Sequence, residues 1–100
     1  MSENTLQVGN RVKFPEDKYF WKVRAVDARY AICTAYQSYT ILDFETGIRS
    51  SGTSWNLGHE TNEDCQLSLL ALNGKHPTGE TQELSRRQEV KLVILDVKSK

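Results

Sequence analysis

Two cysteines, two histidines, two tryptophans and one pair of adjacent arginines are the residues of this 100-residue chain whose types could do chemistry. Cys65 falls in the first turn of a predicted helix, where the dipole favours a thiolate, but Glu63 and Asp64 beside it put negative charge where the thiolate would form. The helical period sets Cys65 in line with Leu69 and Leu72 on one inward face, so it reads as core. Cys33, between Ile32 and Thr34 in a predicted strand, reads the same way. Neither has a second pair for a disulfide framework or a zinc site, and both are expected to be reduced. His59 and His76 lie in separate loops without a spacing that puts two ligands on one face, so neither a metal nor any other cofactor is expected. His59 and Glu60 are adjacent and diverge, which makes them a poor acid–base pair. With no glycine-rich phosphate loop, nucleophile elbow or paired carboxylates, the chain is not expected to be an enzyme.

Recognition is the better supported chemistry. Ser85-Arg86-Arg87 precedes the last predicted strand, and its guanidinium groups could clamp a phosphate or carboxylate with help from Arg49. In an extended segment neighbours point to opposite faces, so one arginine is expected to pair with an acid such as Asp64 while the other stays free. Trp21, Tyr19 and Tyr36, interleaved with Lys22 and Arg24, form a candidate stacking platform for single-stranded nucleic acid, although any half-buried strand shows a similar alternation. Trp55 stands in a Ser/Gly-rich stretch that needs no tryptophan for local structure; it either plugs the mouth of the fold or serves as an exposed anchor. The candidate partner-binding residues are Trp55, Arg49, Arg86, Arg87 and Trp21.

The elements that must position them are mostly strands. Val12 and Phe14 alternate with Arg11 and Lys13 in a half-buried strand that begins at Val8 and stops at Pro15. Residues 19–26 and 30–35 read as a hairpin. Residues 39–44 turn at Gly47 and pair back through Ile48 and Arg49. Residues 50–58 have loop composition. Thr61 with Asp64 three positions on fits a helix start, and Asn73-Gly74 is a stop. Residues 75–81 are a connection, and residues 89–97, apolar on both faces, predict one central strand. The first seven residues are expected to fray, residues 8–97 to form a single domain, and residues 98–100 to be solvated. The expected class is α+β, mostly β: a curled antiparallel sheet or small barrel of five to six strands closed by one helix.

Composition limits what such a domain would bind. Thirteen basic and thirteen acidic side chains give a formal charge of zero. That balance weakens the electrostatic case for bulk nucleic acid or an anionic membrane. No apolar run approaches the roughly 18–20 residues needed to span a bilayer, and Met1-Ser2-Glu3-Asn4-Thr5 lacks a basic leader, so a cytosolic, non-membrane protein is expected.

Seven blocks of the chain, in order, resemble a family of short phage and prophage proteins of unknown function. They are residues 8–12, Lys22-Val23-Arg24-Ala25, residues 29–34, residues 39–43, Gly47-Ile48-Arg49, residues 60–65 and Glu83-Leu84-Ser85-Arg86-Arg87-Gln88. The link Ala35-Tyr36-Gln37-Ser38 is shorter than the basic, proline-bearing loop of the family. The resemblance implies a viral or prophage origin and a host-cytoplasm setting, and it brings no catalytic residue. The leading expectation is an accessory protein that binds a host protein, as an inhibitor of a host or defence factor. A nucleic-acid-binding barrel is the alternative, and a sponge for a small anionic metabolite, held by Arg49, Arg86 or Arg87, is a third. Oligomeric state is left open.

Overall fold

A computed structural model describes residues 6–36, 38–53, 61–74 and 88–99. Its strands are β1 (Arg11–Lys13), β2 (Phe20–Val26), β3 (Tyr30–Ala35), β4 (Ser38–Asp43), β5 (Ile48–Thr53), β6 (Gln88–Lys91) and β7 (Asp96–Lys98), with the helix α1 (Asn62–Leu72) between β5 and β6. All pairings are antiparallel, in one sheet of order β6-β5-β4-β3-β2-β1-β7. The class is α+β, mostly β, as expected, with seven strands rather than five or six.

Chain geometry requires the sheet to curl. Six gaps of about 4.8 Å would hold β6 and β7 roughly 29 Å apart in a flat sheet, yet the five peptide steps from Lys91 to Asp96 reach at most about 18 Å. The edges must approach each other, and the sheet forms a half-barrel. This corrects the single central strand expected over residues 89–97. The segment is extended, but it uses its two hydrogen-bonding sides in turn: residues 88–91 pair with β5, Leu92 N–H donates to Gly47 C=O, and residues 96–98 pair with β1. Its apolar character on both faces follows, because Leu92 and Ile94 pack on the core whereas Val93 and Leu95 stay exposed.

Two cores result, one on each face. Inside the curl lie Val12, Phe14, Trp21, Val23, Ala31, Cys33 and Leu42, joined by Leu6. Leu6 is buried although it belongs to the segment expected to fray, because its apolar side chain finds a place in this core. On the outer face Ala25, Ile32, Tyr39 and Ile41 are covered by Cys65 and Leu69 of α1. A register shift between Val23 and Ala25 lets β2 serve both cores: Val23 points into the curl opposite Cys33, and Ala25 points under the helix opposite Ile32.

The helix forms where local signals place it. Thr61 Oγ1 accepts the Asp64 N–H at 3.1 Å, and the chain leaves α1 through Gly74 at φ 72°. Residues 50–53, expected in a loop, instead continue β5. The glycine is what this strand requires at position 52, since a Cβ there would meet Tyr39 Oη at 2.6 Å. Among the described residues no helix is long and apolar enough to cross a membrane.

Candidate functional site

Arg49 is the centre of a polar network inside the curl. Only 3% of its side chain is exposed, and its guanidinium lies over the Phe14 ring, 4.0 Å from the centroid, and 5.3 Å from that of Trp21. Nε donates to Thr40 Oγ1 at 2.9 Å and Nη1 to Glu16 Oε1 at 2.8 Å, while Nη2 donates to Asp17 Oδ2. The Trp21 indole N–H donates to that same Asp17 oxygen at 2.8 Å, and Thr40 Oγ1 is 2.7 Å from Ser51 Oγ. A cleft of about 390 Å³ opens beside this network, bordered by Tyr19, Ser38, Gln88 and Val90. Two carboxylates against one guanidinium leave the site one negative charge in excess, so Arg49 cannot act there as a spare anion clamp.

The outer face of β7, β1 and β2 has the opposite character. Arg11 is directly opposite Lys22 on one side and Lys98 on the other, which makes a cross-strand row of three cations. Lys13 sits in the next row, between Phe20 and Asp96. The half-buried Phe20 ring has Lys98 Nζ at 4.7 Å, Lys13 Nζ at 5.8 Å and Arg11 Cζ at 5.9 Å from its centroid. Among the described residues, none of these four cations has an acid within ion-pair distance; the ion pairs belong to Arg29 and Arg49. A groove of about 670 Å³, lined by Val8, Gly9, Arg11, Lys22 and Asn62, runs from the row to the start of α1. Directly opposed like charges oppose strand pairing, so this row is held against its own repulsion.

Of the candidate partner-binding residues read from sequence, Arg49 and Trp21 come together as buried members of one network. Trp55, Arg86 and Arg87 lie outside the described residues, as do His59 and His76. The stacking platform divides. Trp21, Tyr19 and Tyr36 form a chain with centroids 5.7 and 5.3 Å apart, whereas Lys22 projects from the opposite face and Arg24 bonds Asn62 and Thr34. The residues missed were Arg11, Lys13, Phe20 and Lys98. Arg11 and Lys13 were visible as the polar half of an alternating strand; their convergence with Lys98 depends on the pairing of β1 with β7.

The cysteines are core residues, as expected. Burial pushes the Cys33 thiol up, and burial together with Asp64 does the same at Cys65 despite the opposing pull of Arg24. Among the described residues no three His, Cys, Asp or Glu side chains gather as a metal site. No family model, characterised protein or solved structure matches the chain.

Proposed function

We propose that this protein is a non-catalytic binding module that takes a single-stranded nucleic acid on the outer face of β7, β1 and β2. The observation that carries this reading is the row Lys98–Arg11–Lys22, three cations set directly opposite one another with no acid among the described residues within ion-pair distance. A phosphate backbone supplies the missing negative charge, and release of its counterions supplies the free energy. Phe20 offers a ring on which an unpaired base can stack, which favours a single strand over a duplex. The chain's zero net charge does not count against this, because the charges are segregated: the basic face holds four cations with no acid among the described residues within ion-pair distance, although Asp96 lies opposite Lys13, while the concave site is acidic.

Fluorescence anisotropy of a labelled oligonucleotide, titrated against salt, tests the reading. Four neutralised phosphates give a log–log slope of about −3 on a single strand. A slope near zero, or no binding at low salt, would remove it.

The second reading, a host-protein partner that the chain inhibits, draws on Tyr36. This tyrosine is 86% exposed at the tip of the β3–β4 hairpin and holds φ at 57°, a left-handed conformation costly for a bulky residue. It packs edge-on against Tyr19 above the cleft, and an exposed aromatic pair is the kind of anchor a protein interface uses. The likeness to short phage and prophage proteins is the reason to look for either partner in a host cell. Capture from host lysate with and without nuclease separates the two: loss on nuclease treatment supports nucleic acid, and retention supports the protein. The third reading, a sponge for an anionic metabolite, loses Arg49 as its holder, since that charge is already compensated.

A further inference from the structure

We propose that β7 is a docking edge for a second copy of this chain, paired antiparallel about Val97. β7 ends the sheet, and among the described residues no strand lies on its outer side. Val97 is 45% exposed there, and Leu95 and Val93, which lead into the strand, are 59% and 40% exposed. An open edge carrying aliphatic side chains is a template for another strand.

The order of charges selects the occupant. Asp96-Val97-Lys98 is self-complementary: turned antiparallel on itself about Val97, it sets Asp96 of each copy opposite Lys98 of the other and the two Val97 side chains face to face. Within one copy Lys98 has no such neighbour. The residue opposite it in β1 is Arg11, a like charge, and no acid among the described residues lies within ion-pair distance. The second copy supplies the carboxylate that the chain's own sheet does not. Such a contact is isologous, so it closes at two copies and leaves no growing end. Three-residue strands bury little surface, which makes the dimer weak and concentration-dependent. It also places the two outer faces on one continuous sheet, where Lys98 faces a carboxylate and Arg11, Lys13 and Lys22 are left for an anion; the pairing stands whether or not those faces take nucleic acid.

The β6 edge provides a control, because it carries a similar triplet, Glu89-Val90-Lys91, with Val90 half-buried beside β5. Sedimentation velocity on the full chain up to about 1 mM should show a monomer–dimer equilibrium. Asp96→Lys and Lys98→Asp each set like charges opposite across the two-fold axis and should weaken association about tenfold or more. The double exchange should restore it. That exchange also keeps the internal tally, since Lys13 and Arg11 each face one of the two positions. Circular dichroism melts verify that each variant folds; if Asp96→Lys does not, Lys98→Asp and the double exchange carry the test. Glu89→Lys should leave association unchanged. A chain that stays monomeric throughout, a double exchange without recovery, or association abolished by Glu89→Lys and indifferent to Lys98→Asp would overturn the proposal.

Discussion

Arg49 and Arg11 project from opposite faces of the same curled sheet. Arg49 is 3% exposed, its donors taken by Glu16, Asp17 and Thr40 and its plane stacked on Phe14; Arg11 is exposed, with Lys22 and Lys98 opposite it and no acid among the described residues within ion-pair distance. A guanidinium removed from water is retained when carboxylates and hydrogen bonds replace its hydration, and one so satisfied has little left to offer a ligand. A guanidinium left in water beside like charges contributes little to the fold, but its field is available to an incoming anion. Residue type alone would have ranked the two arginines together, and burial with its partners separates them into a structural cation and an exposed one, which is the one proposed to meet a ligand.

The comparison is broken most severely at Arg49. Arg49→Met keeps much of the volume and removes the charge, leaving Glu16 and Asp17 facing each other without a counter-ion. The expected loss is about 3–5 kcal/mol in chemical denaturation, with oligonucleotide affinity unchanged in the variant that remains folded. A loss under about 1 kcal/mol would mean that the network is ornamental to the fold. On the outer face the dominant change is Phe20→Ala. It should weaken single-strand binding by about 1–3 kcal/mol, the usual worth of one stacked base. Unchanged affinity would take the ring out of the interface and leave a purely electrostatic contact.

What the sequence disclosed about these regions follows the distance over which each is built. The helix was legible because its signals are local: Thr61 caps Asp64, and Asn73-Gly74 ends the last turn. The β2–β3 and β4–β5 hairpins were legible for the same reason. The burial of Arg49 was not, since Glu16 and Asp17 are 33 and 32 positions away and meet it only when the sheet curls. The basic row was hidden more deeply, because Arg11 and Lys98 stand near opposite ends of the chain and become neighbours through the pairing of β1 with β7. Residues 50–53 misled through composition: serine and glycine read as loop, yet here they make room for Tyr39 and bond Thr40 within a strand.

A single cation from the row sharpens the contrast by sign. Lys22→Ala removes a like charge opposite Arg11, so stability should hold or rise slightly, by up to about 0.5 kcal/mol, in the direction opposite to Arg49→Met. The salt slope of oligonucleotide binding should fall by about 0.7, one phosphate fewer. Destabilisation on this change would show that Lys22 has a structural partner, and an unaltered slope would place the nucleic acid elsewhere.

The smallest effect lies between these extremes, at the surface pair of Arg29 and Asp43. Arg29 Nη2 donates to Asp43 Oδ2 at 3.1 Å, Nε donates to Oδ1 at 3.2 Å, and the backbone N–H groups of Glu45 and Thr46 also donate to Oδ1. Burial pushes the Asp43 carboxyl up, but the Arg29 bond and the two backbone donors outweigh it and hold the group below its ordinary value. The folded state therefore binds this proton less readily than the unfolded chain, so the stabilisation is present above the ordinary carboxylate range and is lost as pH falls through the lowered value. The amide introduced by Asp43→Asn retains an oxygen for the two backbone donors but loses the charge and the oxygen that accepts from Arg29 Nη2. The stability difference between native chain and variant should then be largest above the ordinary carboxylate range and shrink as pH falls through the lowered value. Because Arg29 is 41% exposed, about 1 M salt should also reduce that difference. A difference independent of both pH and salt would assign the contribution of Asp43 to turn geometry alone.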